Sequence, residues 1–342
     1  MTKFFSLLTI FISLILSFLI AEYIYRYTLD INTKNLFSVR TMLFQKGNNF
    51  KNINDYFSYY PNAKIRSTTI YSKKSPKDLS DIVIEYDYFI ETNNAGLVMR
   101  NDIRDGDNVI LVIGDSLTEG QGAPPWFYDL ENEFNGEEKI INLGLLGTGP
   151  IQWEKISNHV INKYNLNVKG VIINIIIPDL IRDLWNFSPI ELECLKFGLC
   201  NYYGSFHGVD FKNFKNKSEI KKYIFEKSEL SIPVKHYEGF IKQSLSHSKI
   251  IMDLYKTIVA SSDNHKYKIV NKNFLALLKL YNLNNKKFHF NIIKSKKADT
   301  FLLNELLNFL NSNSFNFNNC LISKDGFHKY GNQYQTIRTL QA

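Results

Sequence analysis

A serine set in small, turn-forming residues, and a histidine with a carboxylate close by, are the side chains in this sequence that could carry out nucleophilic acyl chemistry. Ser116 stands in Gly114-Asp115-Ser116-Leu117-Thr118-Glu119-Gly120, directly behind the apolar run 109–113. A serine at a strand-to-helix turn is exposed, and the amides that follow it point toward any developing negative charge. Its hydroxyl is a poor nucleophile near neutral pH and needs a base within hydrogen-bond reach. His328 is the candidate base, in the run Lys324-Asp325-Gly326-Phe327-His328, because imidazole has an unperturbed pKa of about 6.5. Asp325 stands three residues earlier, close enough to reach the other ring nitrogen, set the tautomer and stabilise the imidazolium. Each motif alone is weak, since strand-end serines often merely cap a helix and a lone loop histidine is usually structural.

These groups are distant in sequence, so a framework of strands must bring them together. The short, continuous apolar run 109–113 predicts a strand buried on both faces, and further strands are expected at 139–143, 171–177, 287–293 and 320–322. Helices are expected between them, at 151–164 and 299–310. Such alternation implies an α/β fold with a parallel sheet covered on both sides. Ligands in these sheets bind beyond the carboxyl ends of the strands, where the motifs fall. Three regions are expected: an anchor or signal segment at 1–27, a stalk and β-rich lead-in at 28–107, and the main domain at 108–342. Within the second, 22–60 reads as stalk and entry segment, 82–90 as a strand, and Asp105-Gly106-Asp107 as a turn. The stretch at about 184–231 reads as an aromatic, turn-rich excursion from the main domain.

The two motifs, in this order, resemble the SGNH (GDSL-type) hydrolase family. Its first block is matched by Gly114-Asp115-Ser116-Leu117-Thr118-Glu119-Gly120 and its last by Asp325-Gly326-Phe327-His328. Its glycine block is matched by Asn142-Leu143-Gly144, continued by Leu145-Leu146-Gly147-Thr148-Gly149-Pro150. The likeness spans roughly residues 108 to 340 and differs from the Gly-x-Ser-x-Gly elbow of α/β-hydrolases. It implies a three-layer, flavodoxin-like parallel sheet. It also implies that Ser116 attacks an ester carbonyl, His328 takes the proton, Asp325 orients the imidazole, and the amides of Ser116 and Gly144 hold the oxyanion. One block departs from the pattern: the third strand runs into Ile177-Pro178-Asp179-Leu180, with Pro178 where the family has an asparagine. Proline donates no hydrogen bond, so Asn174 or Arg182, with Asp179 beside them, are the candidates to complete the hole.

Bulk properties narrow the partners. The net charge of +8 over 342 residues comes from scattered lysines without a long like-charge block, which argues for a solvated surface and against nucleic-acid binding. Residues 4–21 carry no charge, and at 1.5 Å per residue that length nearly spans a bilayer's hydrocarbon core. Leu19 is too bulky for the third position before a signal cleavage after Ala21. An uncleaved anchor is therefore favoured, with the catalytic domain on the periplasmic or extracellular side, over secretion after signal cleavage. Cys194 and Cys200 are a natural disulfide pair if the body is exported, and no Cys/His grouping has metal-ligand spacing, so no cofactor is expected. Trp126, Trp153 and Trp185 are candidates for a sugar-stacking platform, although core packing is the commoner role of such rings.

The expected function is hydrolysis of a small acyl ester, such as O-acetyl groups on a polysaccharide. An O-acyltransferase would use the same chemistry, and a non-catalytic carbohydrate-binding envelope protein would keep the fold without turnover.

Overall fold

The computed structural model describes residues 13–14, 16–21, 23–24, 37–53, 56–73, 76–122, 124–200, 206–230, 263–283, 287–294 and 300–321. The centre is a five-stranded parallel sheet made of β6 (Asn108–Gly114), β7 (Lys139–Gly144), β8 (Asn167–Ile176), β10 (Phe288–Lys294) and β11 (Phe317–Leu321). Its spatial order is β11-β10-β8-β6-β7. Counted along the chain, that is the 2-1-3-4-5 order of one common class of doubly wound sheets. The five expected strands are present, each within a few residues of its sequence-based position.

β6 reads Val-Ile-Leu-Val-Ile because it lies between β7 and β8 with both faces covered. Val109, Leu111, Ile113, Ile141, Ile173, Phe290 and Ile292 are buried in one cluster. The covering helices present apolar residues at helical spacing. In α3 (Pro150–Lys163) Trp153, Ile156 and Val160 are buried; in α7 (Thr300–Ser312) Leu302, Leu306 and Leu310 are. The 19-residue α6 (Asp263–Tyr281) packs beside α3 and buries Val270, Leu277 and Leu280. Its pattern is interrupted by buried Asn273 and by lysines, and the sequence reading did not place it.

The region expected to be a stalk is instead folded structure from residue 37 onward. β1 (Phe37–Gln45), β4 (Lys64–Lys73) and β5 (Ile82–Glu91) form an antiparallel sheet, with a β2–β3 hairpin (Phe50–Ile53, Tyr56–Tyr59) beside it. The mixed polarity of β1 misled because its two faces enter different cores. Met42 and Phe44 join the main cluster, while Leu43 packs with Ile70, Ile82, Ile220 and Ile224. The excursion likewise folds back: α4 (Pro189–Phe197) leads toward β9 (Phe206–Val209), which pairs parallel to β1, and α5 (Lys217–Leu230) covers β5. Residues of the lead-in and of the main domain thus pack into one hydrophobic cluster. Cys194 and Cys200 are joined by a disulfide that closes the end of α4.

No helix among the described residues is long and apolar enough to cross a membrane. Most of the 1–27 segment lies outside them. Of the described residues in the apolar tract, Leu14, Leu16, Leu19 and Ile20 are helical and exposed.

Candidate active site

Ser116 opens α1 (Ser116–Glu119), a single turn at the carboxyl end of β6. The turn is pinned at both ends. Asp115 Oδ1 accepts from Leu117 N at 2.9 Å, and Gly120 closes the helix in the left-handed region at φ 92°. Ser116 borders a cleft of about 380 Å³ with Gln121, Leu146, Gly147 and Arg182. The lead-in sheet and the excursion supply the other lining residues: Arg40 and Met42 on β1, then Trp185 and Phe206. The two rings lie nearly parallel, 6.1 Å apart.

Gly144 does not offer a free amide. Its N–H donates to Asn142 Oδ1 at 2.9 Å, and Asn142 Nδ2 in turn donates to the Val98 carbonyl at 3.0 Å. What Gly144 supplies is room, since a Cβ there would lie 2.3 Å from Glu119 N. The cleft instead receives Gly147, in the same glycine-rich block, at φ 73°. Trp185 Nε1 fixes the Gly147 carbonyl at 3.0 Å, while the Gly147 and Ser116 amides meet no acceptor among the described residues. Beside the cleft, the amides without a described acceptor are thus those of Ser116 and Gly147, whereas the Gly144 amide, expected to face the oxyanion, is engaged by Asn142.

Asn174 does not line the cleft either. Its Nδ2 donates to Thr118 Oγ1 at 3.2 Å and its Oδ1 accepts from Asn291 Nδ2 at 2.9 Å, so it is a polar tie between α1, β8 and β10. Pro178 is exposed, in the 3₁₀ turn Ile177–Ile181. Arg182, immediately after that turn, is the candidate that reaches the cleft.

Arg182 is held by one nitrogen. Nη1 donates to the Thr148 carbonyl at 2.9 Å and to Asp115 Oδ2 at 3.1 Å, and lies 2.6 Å from Asp179 Oδ1. Asp179 is fully buried, and its Oδ2 accepts from Ile176 N at 3.0 Å. It positions Arg182 and does not itself line the cleft. Two carboxylates and one guanidinium share this spot. Burial drives Asp179 well above the usual carboxylate range, with Asp115 adding to the rise and Arg182 opposing it. Burial disfavours the Arg182 charge, yet Asp179 and Asp115 outweigh it and hold that group above its ordinary value. Asn273 on α6 secures the segment from behind, donating to the Leu180 carbonyl at 2.8 Å and the Arg182 carbonyl at 3.0 Å.

Glu119 lies behind the serine turn, buried and accepting from the Tyr59 hydroxyl. Burial raises its pKa to about 8, against the opposing Tyr59 bond, with Asp115 adding to the rise. It ties α1 to the lead-in hairpin. Of the tryptophans, Trp153 is fully buried with Nε1 donating to Thr148 Oγ1 at 2.9 Å, and Trp126 donates to the Leu117 carbonyl at 3.0 Å. Only Trp185 of the three lines the cleft. Asp325 and His328 lie outside the described residues.

Sequence reasoning missed Arg40, Met42 and Phe206, because nothing local in a strand marks a side chain that a distant sheet will meet, and it missed Gln121, which lies in the turn just after α1. Gly147 was in view, since it belongs to the block already singled out. No protein-family model matches the chain, and no curated protein matches it.

Proposed function

We propose that this protein is a serine esterase of the SGNH/GDSL type acting on a small acyl ester, such as an O-acetyl group on a polysaccharide. The observation that carries the reading is Ser116 at the carboxyl edge of a parallel sheet, bordering a cleft beside two unengaged amides and a guanidinium. The 2-1-3-4-5 strand order agrees with the fold that this family implies.

In this reading the Ser116 oxygen attacks the ester carbonyl carbon as His328 accepts the hydroxyl proton, with Asp325 orienting the imidazole. The oxyanion is held by the Ser116 and Gly147 amides and by Arg182, which takes the part that an asparagine at position 178 would otherwise play. Collapse expels the alcohol, which recovers its proton from His328, and water then hydrolyses the acyl-serine by the same steps in reverse. The neighbouring rings of Trp185 and Phe206 favour a sugar-bearing substrate. They also support a second reading, in which a sugar hydroxyl replaces water and the enzyme transfers the acyl group. The exposed apolar side chains of Leu14, Leu16, Phe18, Leu19 and Ile20 support membrane anchoring of the body.

The test is fluorophosphonate labelling of the full chain with peptide mapping, alongside p-nitrophenyl acetate turnover. Label on Ser116, and turnover lost in Ser116→Ala, is the expected result. Equal turnover by the two proteins would end the esterase reading. Absence of label in folded protein would leave a carbohydrate-binding protein without turnover.

A further inference from the structure

The cleft beside Ser116 holds two arginines in very different electrostatic circumstances. Arg182 is matched by Asp115 and Asp179. Arg40, entering from β1, is matched by nothing: its Nε and Nη2 are buried and lack a hydrogen-bond partner, and it makes no ion pair among the described residues. A guanidinium never gives up its proton in a protein, so it cannot escape this burial by becoming neutral. Buried charges are normally paired, because an unpaired one forfeits its hydration without return.

Arg40 is also a costly choice for a mere strand position. Its neighbours on β1, Thr41 to Phe44, are buried, and in register it faces Tyr71 of β4. The tyrosines that feel its charge, Tyr71, Tyr86 and Tyr88, all have their pKa raised, chiefly by burial. They remain neutral near pH 7 and cannot serve as its counterion. Among the described lining residues of the cleft there is no carboxylate, only Arg40 and Arg182 as charged groups. Glu85 of β5 also acts on Tyr71 and Tyr86 but forms no ion pair with Arg40, so among the described residues Arg40 has no counterion beside Ser116.

We infer that the substrate itself supplies it: the ester carries an anionic group, a carboxylate or phosphate, that pairs with Arg40 while the scissile carbonyl sits at Ser116. A guanidinium suits such a group because its forked donors match two oxygens of a planar or tetrahedral anion. This inference rests on the assignment of the cleft as the substrate site and narrows the substrate class from acyl esters to acidic ones. The acid belongs either to the alcohol, as in an acetylated uronic-acid or phosphorylated sugar, or to the acyl group, as in a half-ester of a dicarboxylic acid.

Calorimetric titration of the full chain carrying Ser116→Ala tests this without any turnover. One pair of probes is methyl glucuronide and methyl glucoside; the other is monoethyl succinate and ethyl butyrate. The expected result is at least tenfold tighter binding of the charged member in one pair, with the preference lost in Arg40→Gln and partly regained in Arg40→Lys. The pair that shows it tells which side of the ester bears the acid. Equal affinities within both pairs would overturn the inference, as would a preference that survives Arg40→Gln in protein with native circular dichroism. Should Arg40→Gln fail to fold, the Arg40→Lys protein decides: a reduced preference that weakens further with added phosphate supports the anion site, and an undiminished or phosphate-insensitive one refutes it. Failure of the esterase reading is seen separately, as absence of fluorophosphonate label on Ser116 in the unmutated chain.

Discussion

Arg182 Nη1 lies 3.1 Å from Asp115 Oδ2, so the residue just before Ser116 is bound to the segment that follows β8, the neighbouring strand of the sheet. The same nitrogen reaches the Thr148 carbonyl, in the residue after Gly147. One guanidinium therefore sets the relative positions of the three loops at the carboxyl ends of β6, β7 and β8.

Replacing Arg182 by Met should consequently damage both fold and function. Removing one partner of a buried ion pair strands the other. Arg182 is about a quarter exposed, so the expected loss falls below the roughly 3–5 kcal/mol of fully buried pairs, at about 2 kcal/mol. Urea unfolding measures it, and Arg182→Lys should lose less because the charge stays. Loss of an oxyanion donor should also lower kcat by about 10²-fold or more. An Arg182→Met enzyme with normal kcat would remove Arg182 from the hole.

Glu119 should make stability fall with rising pH. Its folded pKa is about 8 against an unfolded value near 4.5, so the folded state keeps a proton that the unfolded state releases. The stabilisation is complete below about pH 4.5 and is lost as pH rises toward 8, at up to about 1.4 kcal/mol per pH unit. Glu119→Gln removes this titration. Urea unfolding free energies of the two proteins, measured from pH 5 to 8, should diverge with a flatter slope for the glutamine variant. Parallel slopes would show that Glu119 is ionised in the fold.

The two glycines of the second loop should respond differently to alanine. At Gly144 a Cβ would collide with the Thr118 and Glu119 backbone at 2.5 and 2.3 Å, and neither can move cheaply. Gly144→Ala should therefore unfold or severely destabilise the protein. At Gly147 the nearest atom is Trp185 Cζ2 at 3.1 Å, and the main cost is the positive φ, of order 1 kcal/mol. Gly147→Ala should fold and lose turnover. Thermal melting and p-nitrophenyl acetate kinetics, run side by side, separate the two effects.

Asn174 should matter to stability alone. Its two side-chain hydrogen bonds tie α1 to β8 and β10, and deleting such ties costs about 1–2 kcal/mol. Asn174→Ala should lower the melting temperature without the 10²–10³-fold fall in kcat that loss of an oxyanion donor brings. A fall of that size at unchanged KM would return Asn174 to the hole.

Much of the main domain could be read directly from residue order. Continuous apolar runs such as 109–113 belong to strands buried on both faces, and Leu302, Leu306 and Leu310 mark one face of a helix; these are local periodicities that hold wherever the segment lies. The turn carrying Ser116 was equally local, since Gly114, Asp115 and Gly120 state its cap and its end in sequence. β1 was harder, because each of its faces enters a different core and the pattern of one strand does not say how many partners it will meet.

Which groups surround Ser116 was decided only by tertiary structure. Gly144 and Gly147 look alike in sequence, and the choice between them lies in Asn142, whose side-chain oxygen occupies one amide and leaves the other. Asn174 and Arg182 were equal candidates until the tie to Asn291 engaged the first and the Asp115–Thr148 contact aimed the second. Arg40 had no sequence signal at all. A side chain's charge is written in the chain, but whether that charge finds a partner depends on neighbours that arrive from elsewhere in the fold.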